Sequence, residues 1–352
     1  MIEQLLRTPL CELTGVRHPV VQTGMGWVAG PSLVAATAEA GGLGILASAT
    51  MTLEQLESAV REVKERTDQP FGVNLRADAA DAQQRVDLLI REGVRVASFA
   101  LAPSQRSIGQ LKDAGVVVMP SVGARRHAEK VASWGADAVL VQGGEGGGHT
   151  GPVATTLLVP QVVDAVDIPV IAAGGFFDGR GLAAALCYGA AGAAMGTRFL
   201  LTAESRVPEA VKRSYLDAQV SDTVVTDKVD GRPHRMLRTR VTESAVRSGW
   251  LRRFPDALRS AAEFRALTGI SWREMLATGR AARQAQDLPW HRVLLAANTP
   301  MLIKRALVDG HPEAGVLPAG QVVGMIDDLP TVETLMDEII TQAAKATNFA
   351  RN

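Results

Sequence analysis

The stretch Asp137-Ala-Val-Leu-Val-Gln142-Gly-Gly-Glu145-Gly-Gly-Gly148-His149-Thr-Gly151 decides how the rest of the chain is read. Ala138 to Val141 is a short apolar run of the kind that forms a buried strand. It stops in an amide, Gln142, passes through five glycines interrupted only by Glu145, and ends on His149. Glycine tolerates positive φ and lets backbone N–H groups come close to a ligand. A polar side chain at the C-terminal end of a parallel strand sits where α/β folds carry their chemistry.

Outward from this stretch the chain repeats one plan. Strand-type runs occur at Pro19 to Gln22, Gly44 to Ala47, Phe71 to Leu75, Val96 to Ala100, Val116 to Met119, the opening run, Ile168 to Ala173 and Ala191 to Met195. Helical stretches lie between them: Leu33 to Ala40, the segment to about Arg66, Ala80 to Glu92, Gln105 to Ala114, Arg125 to Trp134, Val159 to Val166 and Gly181 to Tyr188. The second of these opens on Thr52-Leu-Glu-Gln55, a capping box in which hydroxyl and amide each satisfy a free backbone donor. Eight apolar, non-alternating strands separated by helices describe a parallel sheet covered on its outer face. The fold class is therefore α/β, a (β/α)8 TIM barrel, and the lack of GxGxxG after the first strand argues against a doubly wound dinucleotide fold.

After Leu201 the composition changes. Between Arg232 and Arg265 there are nine arginines against three acidic residues. Phe264 to Thr268 and Trp272 to Ala285 have helical periodicity. Gly315 to Gln321 reads as a loop, with helices at Val322 to Ile326 and Thr331 to Ala344. The expected organisation is a barrel from residues 1–206 and 316–352 with a mainly helical, arginine-rich second domain inserted at 207–315.

Bulk properties limit the function. The 352 residues suffice for a large core, and charge is balanced at 37 basic against 37 acidic, so no nucleic-acid or acidic-lipid partner is implied. Aromatics make up 4%, too few for a base-stacking surface. Cys11 and Cys187 lie far apart without metal-type spacing, which fits reduced, structural thiols and no metal. The start lacks a signal-peptide core, and no apolar run reaches membrane-spanning length. A cytoplasmic location is expected; a homodimer is compatible with everything in the sequence.

The strand ends carry the candidate site: Thr23, Gly24 and Met25; Asn74; Gln142; Gly174 and Gly175; Gly196 and Thr197. In a barrel these converge on one face. Glycine-rich turns after strands seven and eight are the usual phosphate site of barrel enzymes. A cofactor phosphate there would leave its ring over the barrel mouth, within reach of the Asn74 and Gln142 amides, above Met25 and the Thr23 backbone, and beside Gly147 and Gly148. His149 is the titratable group on the loop, of a residue type that transfers protons near neutral pH. Glu145 competes as a base but reads better as a solvated or backbone-bonded loop residue. The remaining histidines, His18, His127, His234, His291 and His311, read as surface or packing residues, with His291 able to enter a cleft.

Pro19-Val-Val-Gln-Thr-Gly-Met25, Gly72-Val-Asn-Leu75, Gln142-Gly-Gly-Glu-Gly-Gly-Gly-His-Thr-Gly151, Ala172-Ala-Gly-Gly175 and Met195-Gly-Thr-Arg-Phe199 resemble the nitronate monooxygenase (2-nitropropane dioxygenase-like) family, which includes flavin-dependent enoyl-carrier-protein reductases. The resemblance spans nearly the whole chain, implies FMN in the barrel mouth, and puts His149 at the family's catalytic histidine. Gly146 stands where many relatives have alanine. The likeness is stronger to a branch active in bacterial steroid breakdown, which dehydrogenates a CoA thioester left from sterol rings C and D. It rests on Gln22 to Gly30, Gly143 to Ala154 and Gly174 to Tyr188. The arginine-rich segment fits independently, because guanidinium groups read phosphates by bidentate contacts. Three functions follow as expectations: a flavin dehydrogenase of a bicyclic CoA thioester, a nitronate monooxygenase, or a non-catalytic flavin or CoA binder.

Overall fold

The computed structural model describes residues 6–229, 231–247 and 299–349, with a few isolated positions between 259 and 280. Eight parallel strands close into a barrel: β1 (Val20–Gln22), β2 (Leu43–Ala47), β3 (Gly72–Leu75), β4 (Val96–Phe99), β5 (Val117–Val122), β6 (Val139–Gln142), β8 (Val170–Ala173) and β9 (Gly192–Met195). Consecutive strands pair, and β9 returns to β1 through Val20↔Ala193, Val21↔Ala194 and Gln22↔Met195. The intervening β7 (Gly148–His149) lies outside the barrel sheet.

The strands are apolar throughout because both faces are buried. Along each strand alternate residues point to opposite sides. Val21, Ile45, Val96, Met119, Leu140, Ile171 and Ala194 share one cluster with Leu10 and Cys11, the lumen and its floor. Val20, Val139, Val141, Val170 and Ala172 pack outward with the helices, as do Leu46, Val73 and Ala97. The floor is α1 (Pro9–Thr14), set close enough to β9 that a Cβ on Gly192 would lie 2.8 Å from Leu10 Cδ2. Cys11 is thus a packing residue, whereas Cys187 is exposed.

The outer layer is α2 (Pro31–Glu39), α3 (Leu53–Arg66), α4 (Ala82–Glu92), α5 (Gln105–Asp113), α6 (Arg125–Ser133), α7 (Thr155–Val163) and α8 (Gly179–Cys187). The Thr52 capping box forms, Thr52 Oγ1 accepting from the Gln55 amide at 3.2 Å and Gln55 Oε1 from the Thr52 amide at 3.0 Å. Two elements differ from the sequence reading. α7 starts at Thr155 rather than near Val159, because the distant Glu145 carboxylate accepts from the Thr155 amide at 2.9 Å and caps its first turn. Gln321–Met325 is a 3₁₀ turn rather than an α-helix.

After β9 come a short helix α9 (Thr197–Leu200) and α10 (Glu209–Leu216), then two antiparallel strands, β10 (Thr223–Thr226) and β11 (His234–Leu237). This hairpin was not expected from the sequence. It is followed by α11 (Arg240–Arg247) and, further on, α12 (Thr299–Leu307) and α13 (Val332–Phe349). The helices expected at 264–268 and 272–285 fall largely outside the described residues, as does His291. α13 packs on α8, where a Cβ on Gly179 would stand 2.2 Å from the Ile339 carbonyl oxygen. No described helix is long and apolar enough to cross a membrane.

Strand β2 and helix α2 approach closely at Gly44. A Cβ there would lie 2.4 Å from the Val34 carbonyl oxygen and 2.9 Å from Val34 Cα, so α2 and β2 would have to separate. Gly44→Ala is expected to lower stability by about 1–3 kcal/mol. Denaturant titration measures this, and an unchanged midpoint would contradict the packing described.

Candidate active site

Closure of the parallel barrel carries every C-terminal strand end to one rim. By alternation Asn74, Ser98 and Gln142 point into the lumen at that rim, since Val73, Ala97 and Val141 point outward. Asn74 Nδ2 donates to Ser98 Oγ at 3.2 Å. Gly24 backs onto Asn74 closely enough that a Cβ would lie 2.6 Å from Asn74 Cβ. A Cβ on Gly196 would lie 3.1 Å from Thr23 Oγ1 and 3.5 Å from Met25 Sδ. The strand-end residues singled out in the sequence, Thr23, Gly24, Met25, Asn74, Gln142, Gly174, Gly175, Gly196 and Thr197, therefore form one continuous rim.

Gly174 and Gly175 both take positive φ, 93° and 86°, a conformation that favours glycine. Among the described residues the amides of Gly174, Gly175, Gly196 and Thr197 donate no hydrogen bond to another group. Four free N–H groups on two adjacent loops suit an anion. The N-terminus of the helix after the seventh barrel strand is already partly occupied. Asp178 caps α8 by accepting from the Gly181 amide at 2.9 Å, and Gln342 Oε1 takes the Gly179 amide at 3.1 Å.

The glycine loop is held from three sides. From the barrel, Gln142 Nε2 donates to the His149 carbonyl at 2.8 Å and to the Gly147 carbonyl at 3.3 Å. Both amide hydrogens are thereby committed, and Gln142 offers the barrel mouth its acceptor oxygen. Gly146 allows this, because a Cβ there would come within 2.6 Å of Gln142 Nε2. Glu145 is backbone-bonded, its Oε2 accepting from the Thr155 amide and from Thr155 Oγ1 at 2.7 Å. From the C-terminal segment, the Gln321 amide donates to the Glu145 carbonyl at 3.0 Å, and Gly147 abuts Ala319 and Gly320. The Gly320 amide in turn donates to Thr197 Oγ1 at 2.9 Å, linking the loop to α9.

The third support is the hairpin. β7 pairs with β11 in the order β10-β11-β7, with His149 opposite His234 and Gly148 opposite Arg235. The Thr150 amide donates to the Pro233 carbonyl at 3.1 Å. Arg235 donates to the Gly144 carbonyl from Nε at 3.1 Å and from Nη2 at 2.9 Å, and its Nη1 reaches Thr223 Oγ1 at 2.9 Å. Burial draws this guanidinium below its ordinary value, opposed by the nearby Glu145 carboxylate. One arginine of the basic segment is thus a loop fastener. His234 is buried, 2% exposed, and its ring centroid is 4.7 Å from that of His149, which is exposed.

Sequence reading passed over this arrangement, placing His234 among surface or packing residues. A signal existed: the β-branched run Thr223-Val-Val-Thr226, then Asp230-Gly231, is a hairpin pattern. Nothing local says that its second strand joins residues 148–149. Two further anchors bind the rim to the chain's later part. The Trp27 indole donates to the Pro300 carbonyl at 3.2 Å from a backbone with φ of 67°, unusual for a bulky residue. Arg198, a buried residue of α9, donates to Asp328 Oδ1 at 2.6 Å. Among the described residues no group of three or more His, Cys, Asp or Glu is placed to hold a metal ion.

Gln142→Met keeps the side-chain volume but removes both bonds to the loop. Amide exchange at residues 147–149 is expected to quicken about tenfold or more. Hydrogen exchange measures it, and unchanged protection would show that the hairpin alone holds the loop.

The nitronate monooxygenase family profile matches residues 7–85 and 80–342. The chain is 65% identical over 340 residues, 97% of its length and 96% of the relative's, to a (3aS,4S,5R,7aS)-5-hydroxy-7a-methyl-1-oxo-octahydro-1H-indene-4-carboxyl-CoA dehydrogenase of Rhodococcus jostii. A protein of the same name from Mycobacterium tuberculosis is also 65% identical, over 341 residues covering 96% of each chain. Among solved structures, FabK from Thermotoga maritima superposes with a TM-score of 0.78 at 35% identity, covering 98% of both chains. On these likenesses and the closed barrel, the chain belongs to the nitronate monooxygenase family of oxidoreductases.

Proposed function

We propose that this protein is an FMN-dependent dehydrogenase that introduces a carbon–carbon double bond next to a carbonyl in a bicyclic, steroid-ring-derived CoA thioester. The observation that carries this reading is the 65% identity to two dehydrogenases named for such a thioester, maintained over nearly the full length and so including the insertion. The rim chemistry fits a flavin mononucleotide. The free amides of Gly174, Gly175, Gly196 and Thr197 would take its phosphate. Gln142, with both donors spent on the loop, presents an acceptor to a ring N–H, and Asn74 adds a second amide. Thr23, Gly24, Met25, Gly147 and Gly148 would line the ring. Bound there, FMN supplies a two-electron acceptor for the hydride leaving the substrate β-carbon.

The protein's own part is proton transfer and placement. A thioester carbonyl acidifies the neighbouring α-proton, and an imidazole nitrogen of His149 takes it. His149 is exposed, and its loop is bonded on both sides of the histidine, to Gln142 at the barrel rim and to the hairpin. Glu145 does not compete for this role, because its carboxylate is occupied by Thr155. For the CoA phosphates, Arg240 and Arg247 on α11 are candidates among the described residues, with side chains 89% and 81% exposed. Their ion pairs with Glu313 and Glu243 are long, 4.0 and 3.8 Å, and easily exchanged for phosphate.

The family name gives nitronate oxidation standing as a second reading. Both are separated by mixing the flavin-loaded protein anaerobically with the indene-carboxyl-CoA thioester and, separately, with an alkyl nitronate. Bleaching by the thioester, with one unsaturated thioester formed per flavin, is expected. Aerobic nitronate consumption without thioester bleaching would replace the proposal with the second reading. His149→Ala should slow bleaching by about 10²–10⁴-fold. An undiminished rate would remove His149 as the base.

A further inference from the structure

The geometry points to His234 as a positioning residue for His149: a second imidazole, delivered by the hairpin, that packs against the first and fixes its orientation at the barrel mouth. This rests on the reading of His149 as the base. His149 and His234 are direct register partners in an antiparallel pair, so their side chains stand on the same face of the small sheet. Their rings lie 4.7 Å apart between centroids at an interplanar angle of 41°, within the range of tilted aromatic contacts. The two rings differ in setting. His234 is 2% exposed and anchored in the protein, whereas His149 is exposed.

That asymmetry is what a positioning contact requires. β7 is a two-residue edge strand. The loop's backbone bonds, from Gln142 to the His149 carbonyl and from the Thr150 amide to Pro233, locate the His149 backbone. The buried ring of His234 bounds the His149 imidazole on the side of the hairpin. The stakes are large, since a misplacement of about 1 Å can cost on the order of a hundredfold in rate. The residue doing this lies 85 positions from the histidine it orients (234 − 149), on the insertion rather than on the barrel.

Two replacements separate the ring contact from any polar role. His234→Phe keeps a flat face and removes the nitrogens; His234→Asn keeps polarity and removes the ring. In the flavin-loaded protein, His234→Asn is expected to lower kcat about ten- to hundredfold with little change in KM. His234→Phe should restore kcat to within about threefold. In a His149→Ala background, adding His234→Asn should cost nothing further, because the effect passes through His149. A readout free of turnover is the NMR signal of the His149 ring carbons in the full chain without substrate. These should shift toward averaged values in His234→Asn and stay in place in His234→Phe. If the asparagine variant does not fold, His234→Leu, with bulk but no flat face, takes its place. Equal loss in the Phe and Asn variants, or an unmoved His149 signal in the Asn variant, overturns the proposal. If His149→Ala leaves the rate intact, the base assignment fails while the NMR comparison still decides whether the rings are coupled.

Discussion

Two backbones touch where Gly147 meets the Ala319–Gly320 turn, and the rest of the site depends on that contact. A Cβ at Gly147 would lie 2.6 Å from the Ala319 carbonyl carbon and from the Gly320 nitrogen, so no other residue fits without parting the segments. Through it the loop from β6, the segment leading to α13 and the helix after β9 become one body: Gln321 bonds the Glu145 carbonyl, and Gly320 bonds Thr197. The run of glycines is therefore a record of close approach more than of flexibility. Gly143 abuts Thr155, Gly146 abuts Gln142, and Gly174 abuts Gly143 and Gly146.

A division of labour follows. The barrel supplies a stiff rim, closed by hydrogen bonds and packed on both faces, and the groups that change from one member of such a fold to another are laid on top of it. Buried cations help to fasten these upper parts, largely through carbonyl oxygens. Arg85 donates to the Ser48 and Met51 carbonyls and fixes the loop after β2. Lys212, its ammonium lowered from the ordinary value by burial, donates to the Thr202 and Ser205 carbonyls beneath α10. Arg235 does the same for Gly144. Each satisfies loop carbonyls that secondary structure leaves open.

The hairpin changes the meaning of the insertion. The basic segment was expected to meet a substrate, and its exposed arginines on α11 remain suited to that. Its strand β11, however, is the central strand of the sheet that includes His149. The exposed arginines of α11 and the strand that pairs with His149 thus share one piece of chain. One arginine of that basic segment, Arg235, is bonded to the glycine loop through the Gly144 carbonyl and to the hairpin through Thr223.

The amino-acid sequence by itself determined the eight strands, the helices that cover them, the capping box at Thr52 and the polar or glycine residues at the strand ends. These depend on interactions within a few residues, such as apolar periodicity, side-chain caps and positive-φ turns. Tertiary structure alone decided where Glu145 goes, that α7 therefore begins at Thr155, and which ring stands behind His149. Those contacts join positions 145 with 155 and 321, and 149 with 234, mostly through backbone groups that every residue carries. A hydrogen-bond donor common to all residues leaves no trace in composition, so its partner is fixed only when the barrel closes and brings distant segments to the same rim.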